Sequence, residues 1–70
     1  MITFELKDNE FITLCDLLKR TGLCESGGFA KSVIAEGLVE VDGQQELRKR
    51  CKITANKTIT YNNETIKVIT

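Results

Sequence analysis

The sequence contains no histidine, no tryptophan and no proline, and it has a single tyrosine. Each absence narrows what the chain can do. Hydrolytic triads and Cys–His nucleophiles need a base that only histidine ordinarily supplies, so both are excluded. With one tyrosine and no tryptophan there is no row of aromatic rings of the kind on which single-strand binders stack bases. No apolar run approaches the ~18 residues of a membrane helix. The opening Met-Ile-Thr-Phe-Glu-Leu-Lys-Asp has neither the basic start nor the long apolar centre of a secretion signal, so the cytoplasm is the expected location.

Cysteine is present but sparse. Cys15, Cys24 and Cys51 form an odd count at irregular spacing, which makes a poor disulfide framework. No C-x-x-C pair begins a zinc site, and no fourth ligand is available. Three small thiols, buried or half-buried in a reducing compartment, are expected. Cys51 lies among cations and is the best candidate for a reactive thiolate. Gly27-Gly28 lacks the flanking pattern and lysine of a phosphate-binding P-loop, and no EF-hand spacing occurs. Asp8, Glu10 and Asp16 supply carboxylates without implying a pocket. No catalytic residues, metal or cofactor are therefore expected.

Seventy residues suffice for one domain with a small core, spanning 1–70. Hydrophobic residues at 41% and charged residues at 29% fit a compact chain rather than a disordered one. The formal net charge is zero, which argues against an indiscriminate polyanion binder. The charges are segregated, however. Glu5, Asp8, Glu10 and Asp16 outnumber Lys7 near the start, whereas Arg48, Lys49, Arg50 and Lys52 stand together without an anion among them.

The hydrophobic pattern predicts the elements in order. Ile2, Phe4 and Leu6 alternate with polar residues, as in a strand with one buried face. Asp8 or Asn9 can cap a helix over about 10–20 that buries Phe11, Leu14, Cys15, Leu17 and Leu18. Lys19 and Arg20 suit its negative end, and Gly22 can end it. Leu23 and Cys24 are expected to tuck under the connection. Ser26 is a good cap for a second helix running to about Glu36, with Ala30, Val33 and Ile34 inward, Lys31 outward and Gly37 as its stop. Gly27 and Gly28 leave two readings open. One is a loose first turn or a close contact with another segment. The other is an open backbone that lets an anion reach the helix start.

Strands follow at Leu38–Val41, at Ile53, at Thr58–Tyr61 and at Glu64–Ile69. Asp42-Gly43 and Asn62-Asn63 read as two-residue turns, and Gln44–Leu47 as an edge strand or loop. The expected class is α+β, with two helices packed on a small, mostly antiparallel sheet. Should this fold bring Lys31 to the 48–52 run, the cations would form one patch suited to phosphate oxygens and to the shape of folded RNA.

One pattern goes further. The spacing Leu14…Leu18…Gly22-Leu23…Ser26…Ala30-Lys31…Ile34…Glu36-Gly37…Val39…Val41-Asp42-Gly43 resembles the RNA-binding domain of ribosomal protein S4, the αL motif shared with pseudouridine synthases and tyrosyl-tRNA synthetases. The whole chain is similar to small stand-alone bacterial members of that family, the YbcJ-like proteins, which are regarded as RNA-binding and in part as ribosome-associated. That further likeness rests on Leu14–Lys19, Glu25-Ser26-Gly27, Ile34–Gly37 and Arg48–Ile53.

The resemblance implies a cap at Ser26, a basic contact at Lys31 and an RNA-side turn at Asp42-Gly43. Thr13 and Gly27 stand where the family often carries arginine, and the 48–52 run would compensate. The expected RNA-binding residues are therefore Ser26, Gly27, Lys31, Asp42, Gly43, Arg48, Lys49, Arg50 and Lys52. The implied partner is structured RNA of the ribosomal or transfer class, bound by a monomer with ribosome or RNA-processing proteins nearby. The alternatives are a protein–protein adaptor, which would expose an apolar patch, and a helix-turn-helix DNA binder.

Overall fold

The computed structural model describes residues 1–70. The chain begins with β1 (Ile2–Glu5), β2 (Ile12–Thr13), α1 (Leu14–Arg20) and α2 (Gly27–Ala35). It continues through β3 (Val39–Val41), β4 (Gln44–Gln45), β5 (Lys52–Ile53), β6 (Thr58–Tyr61) and β7 (Glu64–Ile69). Five strands form one sheet in the order β1-β7-β6-β3-β4. All its pairs are antiparallel except β1 with β7. The α+β class and the mostly antiparallel sheet are as the sequence led us to expect.

Local chemistry explains the turns. Asp42 and Gly43 have φ of 51° and 83°, and Asn62 and Asn63 have 52° and 66°. Positive φ at both central residues defines the tight turn whose twist matches paired strands, and Asp, Asn and Gly tolerate it best. The end of α2 is equally local. Gly37, at φ 79°, lets its N–H donate to Ile34 O while Leu38 N–H donates to Val33 O. This double bond pattern satisfies carbonyls that would otherwise be left unpaired at the helix end.

Fourteen buried residues form one core, and none of them is polar or charged. Leu14, Leu17 and Leu18 of α1 meet Ala30, Val33 and Ile34 of α2. Beneath them lie Val39, Ile59, Ile66 and Val68 from the sheet. Ala30 is fully buried where the helices pack together. Burying each large side chain contributes about 1.5–3 kcal/mol, set against the conformational entropy lost on folding.

The first helix departs from expectation. It begins at Leu14 rather than near Glu10, because Ile12 and Thr13 pair with Ile53 and Lys52 in a separate two-stranded ribbon. Asn9 does not cap α1; its side-chain amide donates to Leu6 O at 3.0 Å. Asp8 is not its cap either, since Thr13 takes that position, without a side-chain bond. Phe11, expected in the helix face, precedes the ribbon and is 38% exposed. The ribbon buries Ile12 and Ile53 on one side, and strand alternation puts Phe11, Thr13 and Lys52 on the other.

Candidate nucleic-acid interface

The basic run is a loop fixed on the start of α1. Leu14 N–H donates to Cys51 O at 2.9 Å, and Cys15 N–H donates to Lys49 O at 3.0 Å. Cys51 N–H closes the loop on Arg48 O at 3.1 Å. Amides at a helix start lack partners within the helix. Here the loop's own carbonyls take them, while Arg48, Lys49, Arg50 and Lys52 stay exposed. Main-chain bonds thus hold a short cationic segment in one conformation.

The charge on this loop is smaller than the sequence suggests. Arg48 is bound to Glu46 by a two-point ion pair, with Nε–Oε2 at 2.9 Å and Nη2–Oε1 at 3.2 Å. The Arg48 N–H also donates to Glu46 Oε2, at 2.9 Å. These bonds, first from the guanidinium and then from the amide, hold the Glu46 carboxyl down at about 2. The carboxylate raises Arg48 in turn. Arg48 therefore serves the loop's own geometry, and its charge is largely cancelled. Lys49 and Arg50 are exposed and have no ion-pair partner, and the same holds for Lys31 on α2. Lys52 lies over the Phe11 ring, 5.0 Å from its centroid.

The other expected residues fall into two groups. Asp42 is close to the basic loop, for one groove is lined by Asp42, Gln44, Arg48, Lys52 and Lys57. Its own role is to tie the β3–β4 turn to β6. Oδ1 accepts the Thr58 N–H at 2.9 Å, Asp42 N–H donates to Thr58 O at 2.7 Å, and Oδ2 lies 3.4 Å from Lys57 Nζ. The Thr58 amide and then Lys57 keep its carboxyl below the usual range. Gly43 completes this turn. Ser26 and Gly27 lie elsewhere, at the start of α2, beside a hollow lined by Leu23, Phe29, Tyr61 and Asn62. Ser26 Oγ accepts the Phe29 N–H at 3.1 Å, the capping bond expected of it.

It is the end of α2 that meets the basic loop. Ala35 lines a shallow groove with Leu47 and residues 48–52. Lys31 lies one helical turn before Ala35 on the same face. Around Gly27 and Gly28 the space is open: a Cβ on Gly27 would meet nothing within 4 Å, and one on Gly28 only Ser26 Oγ. Close contact with another segment therefore does not account for the two glycines.

The cysteines are free thiols, with Cys24 buried and Cys15 and Cys51 half-buried. Burial pushes Cys51 upward, as it does Cys24, and nearby Glu46 adds to the rise at Cys51. The neighbouring cations do not overcome this, so Cys51 is not the activated thiolate its surroundings in the sequence suggested. No helix is long and apolar enough to cross a membrane.

Two features escaped the sequence reading: the neutralisation of Arg48 and the exposed Phe11 ring under Lys52. The first left a trace, since Glu46 stands two residues before Arg48. The second depends on the register of the β2–β5 ribbon, which neither strand reveals alone.

Comparison with known proteins agrees with this architecture. The chain is 49% identical over 69 residues to YbcJ of Escherichia coli (strain K12), named as a candidate RNA-binding protein, and 99% of each chain is covered. An uncharacterized YbcJ from Shigella flexneri matches to the same extent. The solution structure of E. coli YbcJ, described as revealing an αL motif involved in RNA binding, superposes with a TM-score of 0.78 at 48% identity. That match covers 100% of this chain and 89% of the other. The 30S ribosomal protein S4e of Thermoplasma acidophilum matches with a TM-score of 0.62 at 26% identity, over 83% of this chain and 31% of that one. The family model described as S4 domain matches residues 4–69, and the chain belongs to the S4 domain family.

Proposed function

We propose that residues 1–70 act as one non-catalytic, monomeric RNA-binding module that recognises structured RNA by phosphate and shape contacts. One observation carries the reading. In a member of the S4 domain family, the unpaired cations Lys49 and Arg50 stand beside Lys52 on a loop bonded to the start of α1. Lys31, exposed one helical turn before Ala35 on the same face of α2, adds a further cation. Lysine and arginine bound to phosphates release counterions, and a loop already held in place loses little entropy on binding. Arg48, Asp42 and Gly43 shape the surface, while Ser26 and Gly27 begin the helix that carries Lys31.

The target class is ribosomal or transfer RNA, met in the cytoplasm on or near the ribosome. The name of the E. coli relative points to RNA, which favours this reading over a protein adaptor or a DNA binder. The test is a titration of the chain with a folded RNA hairpin and with duplex DNA of equal length, at several salt concentrations. Tighter, salt-sensitive binding to the RNA is expected. Equal affinity for the two duplexes, or no binding to either, would overturn the proposal.

A further inference from the structure

A second concavity adjoins the basic loop, and the phosphate contacts make no use of it. It lies between the β1 side of the fold and α1. Phe4, Asn9, Phe11, Asp16 and Arg20 supply its chemistry, over an apolar floor of Leu6 and Ile12. The Phe11 ring is its link to the cations. Lys52 Nζ stands over that ring, yet Lys52 does not line the concavity. Phe11 therefore has a cation against its ring and also lines an open hollow of mixed polar and apolar character.

The polar groups are arranged around this hollow. Asn9 uses its side-chain N–H on Leu6 O, which fixes the amide and leaves Oδ1 without a partner in the chain. Asp16 Oδ2 holds Arg20 Nε at 3.2 Å, so a guanidinium plane stands at the rim. At about 260 Å³ the hollow is slightly below the ~300–1,000 Å³ of typical small-molecule sites. That size suits a single planar ring. Two phenyl rings, an amide acceptor, a guanidinium and an adjacent ammonium match what an unpaired nucleotide offers: a flat base with polar edges and one phosphate.

We infer that this hollow takes one unpaired nucleobase, stacked on Phe11, with its phosphate at Lys52. The inference rests on the RNA-binding reading and narrows it: the preferred target is helical RNA carrying a bulged or flipped-out nucleotide. Paired stretches engage Lys49, Arg50 and Lys31, and the extruded base supplies the selectivity that phosphate contacts lack.

The test uses two RNA hairpins that differ by a single bulged nucleotide, titrated with the wild-type chain and with Phe11→Leu. Leucine keeps apolar bulk at this partly exposed position and removes the ring. The wild type is expected to prefer the bulged hairpin by about 5- to 150-fold, the range that one base–aromatic stack supplies. Phe11→Leu should lose that preference and bind the fully paired hairpin as the wild type does.

Phe11→Trp gives a second readout, since the chain has no tryptophan of its own. Its fluorescence should be quenched by the bulged hairpin and not by the paired one. Equal wild-type affinity for both hairpins, or a preference that survives Phe11→Leu, would overturn the nucleobase site while leaving salt-dependent RNA binding intact. Absence of binding to both hairpins would instead overturn the RNA-binding reading beneath it.

Discussion

Charge substitution at Arg48 and Glu46 separates the cations free to meet phosphate from the one held in an ion pair. The Arg48 side chain is 77% exposed, so solvent screens the ion pair and its contribution to stability is small. A phosphate could in principle displace Glu46. The displaced carboxylate would then remain within a few ångströms of that phosphate, and like charges ~4 Å apart cost about 1 kcal/mol even in water. The exchange gains little, so Arg48 should release few counterions when RNA binds. Lys49 and Arg50 have no such competitor.

Replacing both Lys49 and Arg50 by Ala should reduce the log–log salt slope of RNA affinity by about 1.4–1.8, from ~0.7–0.9 for each lost contact. Between 50 and 200 mM salt the gap between wild type and variant then narrows by about 7- to 12-fold. The paired change Glu46→Gln with Arg48→Gln removes the ion pair without altering net charge, and should leave the slope unchanged. Glu46→Gln alone frees Arg48 and should steepen the slope by about 0.7–0.9. Fluorescence anisotropy with a labelled RNA hairpin over a salt series measures all four proteins, and circular dichroism verifies their folding. If the paired change lowers the slope as much as losing Lys49 and Arg50 does, Arg48 contacts RNA and the reasoning from its ion pair is wrong.

Two further outcomes concern the fold. The folded-state carboxyl of Glu46 is depressed to about 2 from an ordinary value of 4.5. Its contribution to stability is therefore complete above pH 4.5 and is lost as pH falls towards 2. Urea melts across that window should show a smaller loss of stability in Glu46→Gln than in the wild type, and identical pH profiles would contradict the pairing. At Gly37 an added Cβ would both strain a backbone at φ 79° and overlap the Gln45 side-chain amide, which donates to Gly37 O at 3.1 Å. Gly37→Ala should cost at least ~1–2 kcal/mol in thermal or urea melts. Adding Gln45→Ala should recover the part due to overlap, and no recovery would show that backbone strain acts alone.

What the sequence revealed depended on how far each determinant reaches. The two turns were legible because Asp42-Gly43 and Asn62-Asn63 carry their own backbone preference. The second helix was legible because Ser26 and Gly37 mark its ends and Ala30, Val33 and Ile34 mark its inner face. The first helix was misjudged at its start because Phe11 and Ile12 fit a helical period as well as a strand. The choice is made by Ile53, a residue remote in sequence, whose pairing with Ile12 converts that turn of helix into ribbon. The candidate site followed the same rule. A run of cations is visible in any sequence, but which of them are free is not. Glu46 neutralises Arg48, while main-chain bonds from Leu14 and Cys15 hold the loop that displays Lys49 and Arg50. The parallel pairing of β1 with β7, which joins the two ends of the chain, was likewise beyond any local signal.

On the proposed reading, RNA meets the chain at the loop bonded to the start of α1. Backbone amide shifts of the 70-residue chain, followed by NMR during titration with a folded RNA hairpin, test it most directly. The largest changes are expected at Lys49, Arg50, Cys51 and Lys52, with Lys31 and Ala35 moving alongside them. That placement is contradicted if the largest changes fall at Gly27, Phe29 and Asn62, at the far end of α2, while residues 49–52 stay in place.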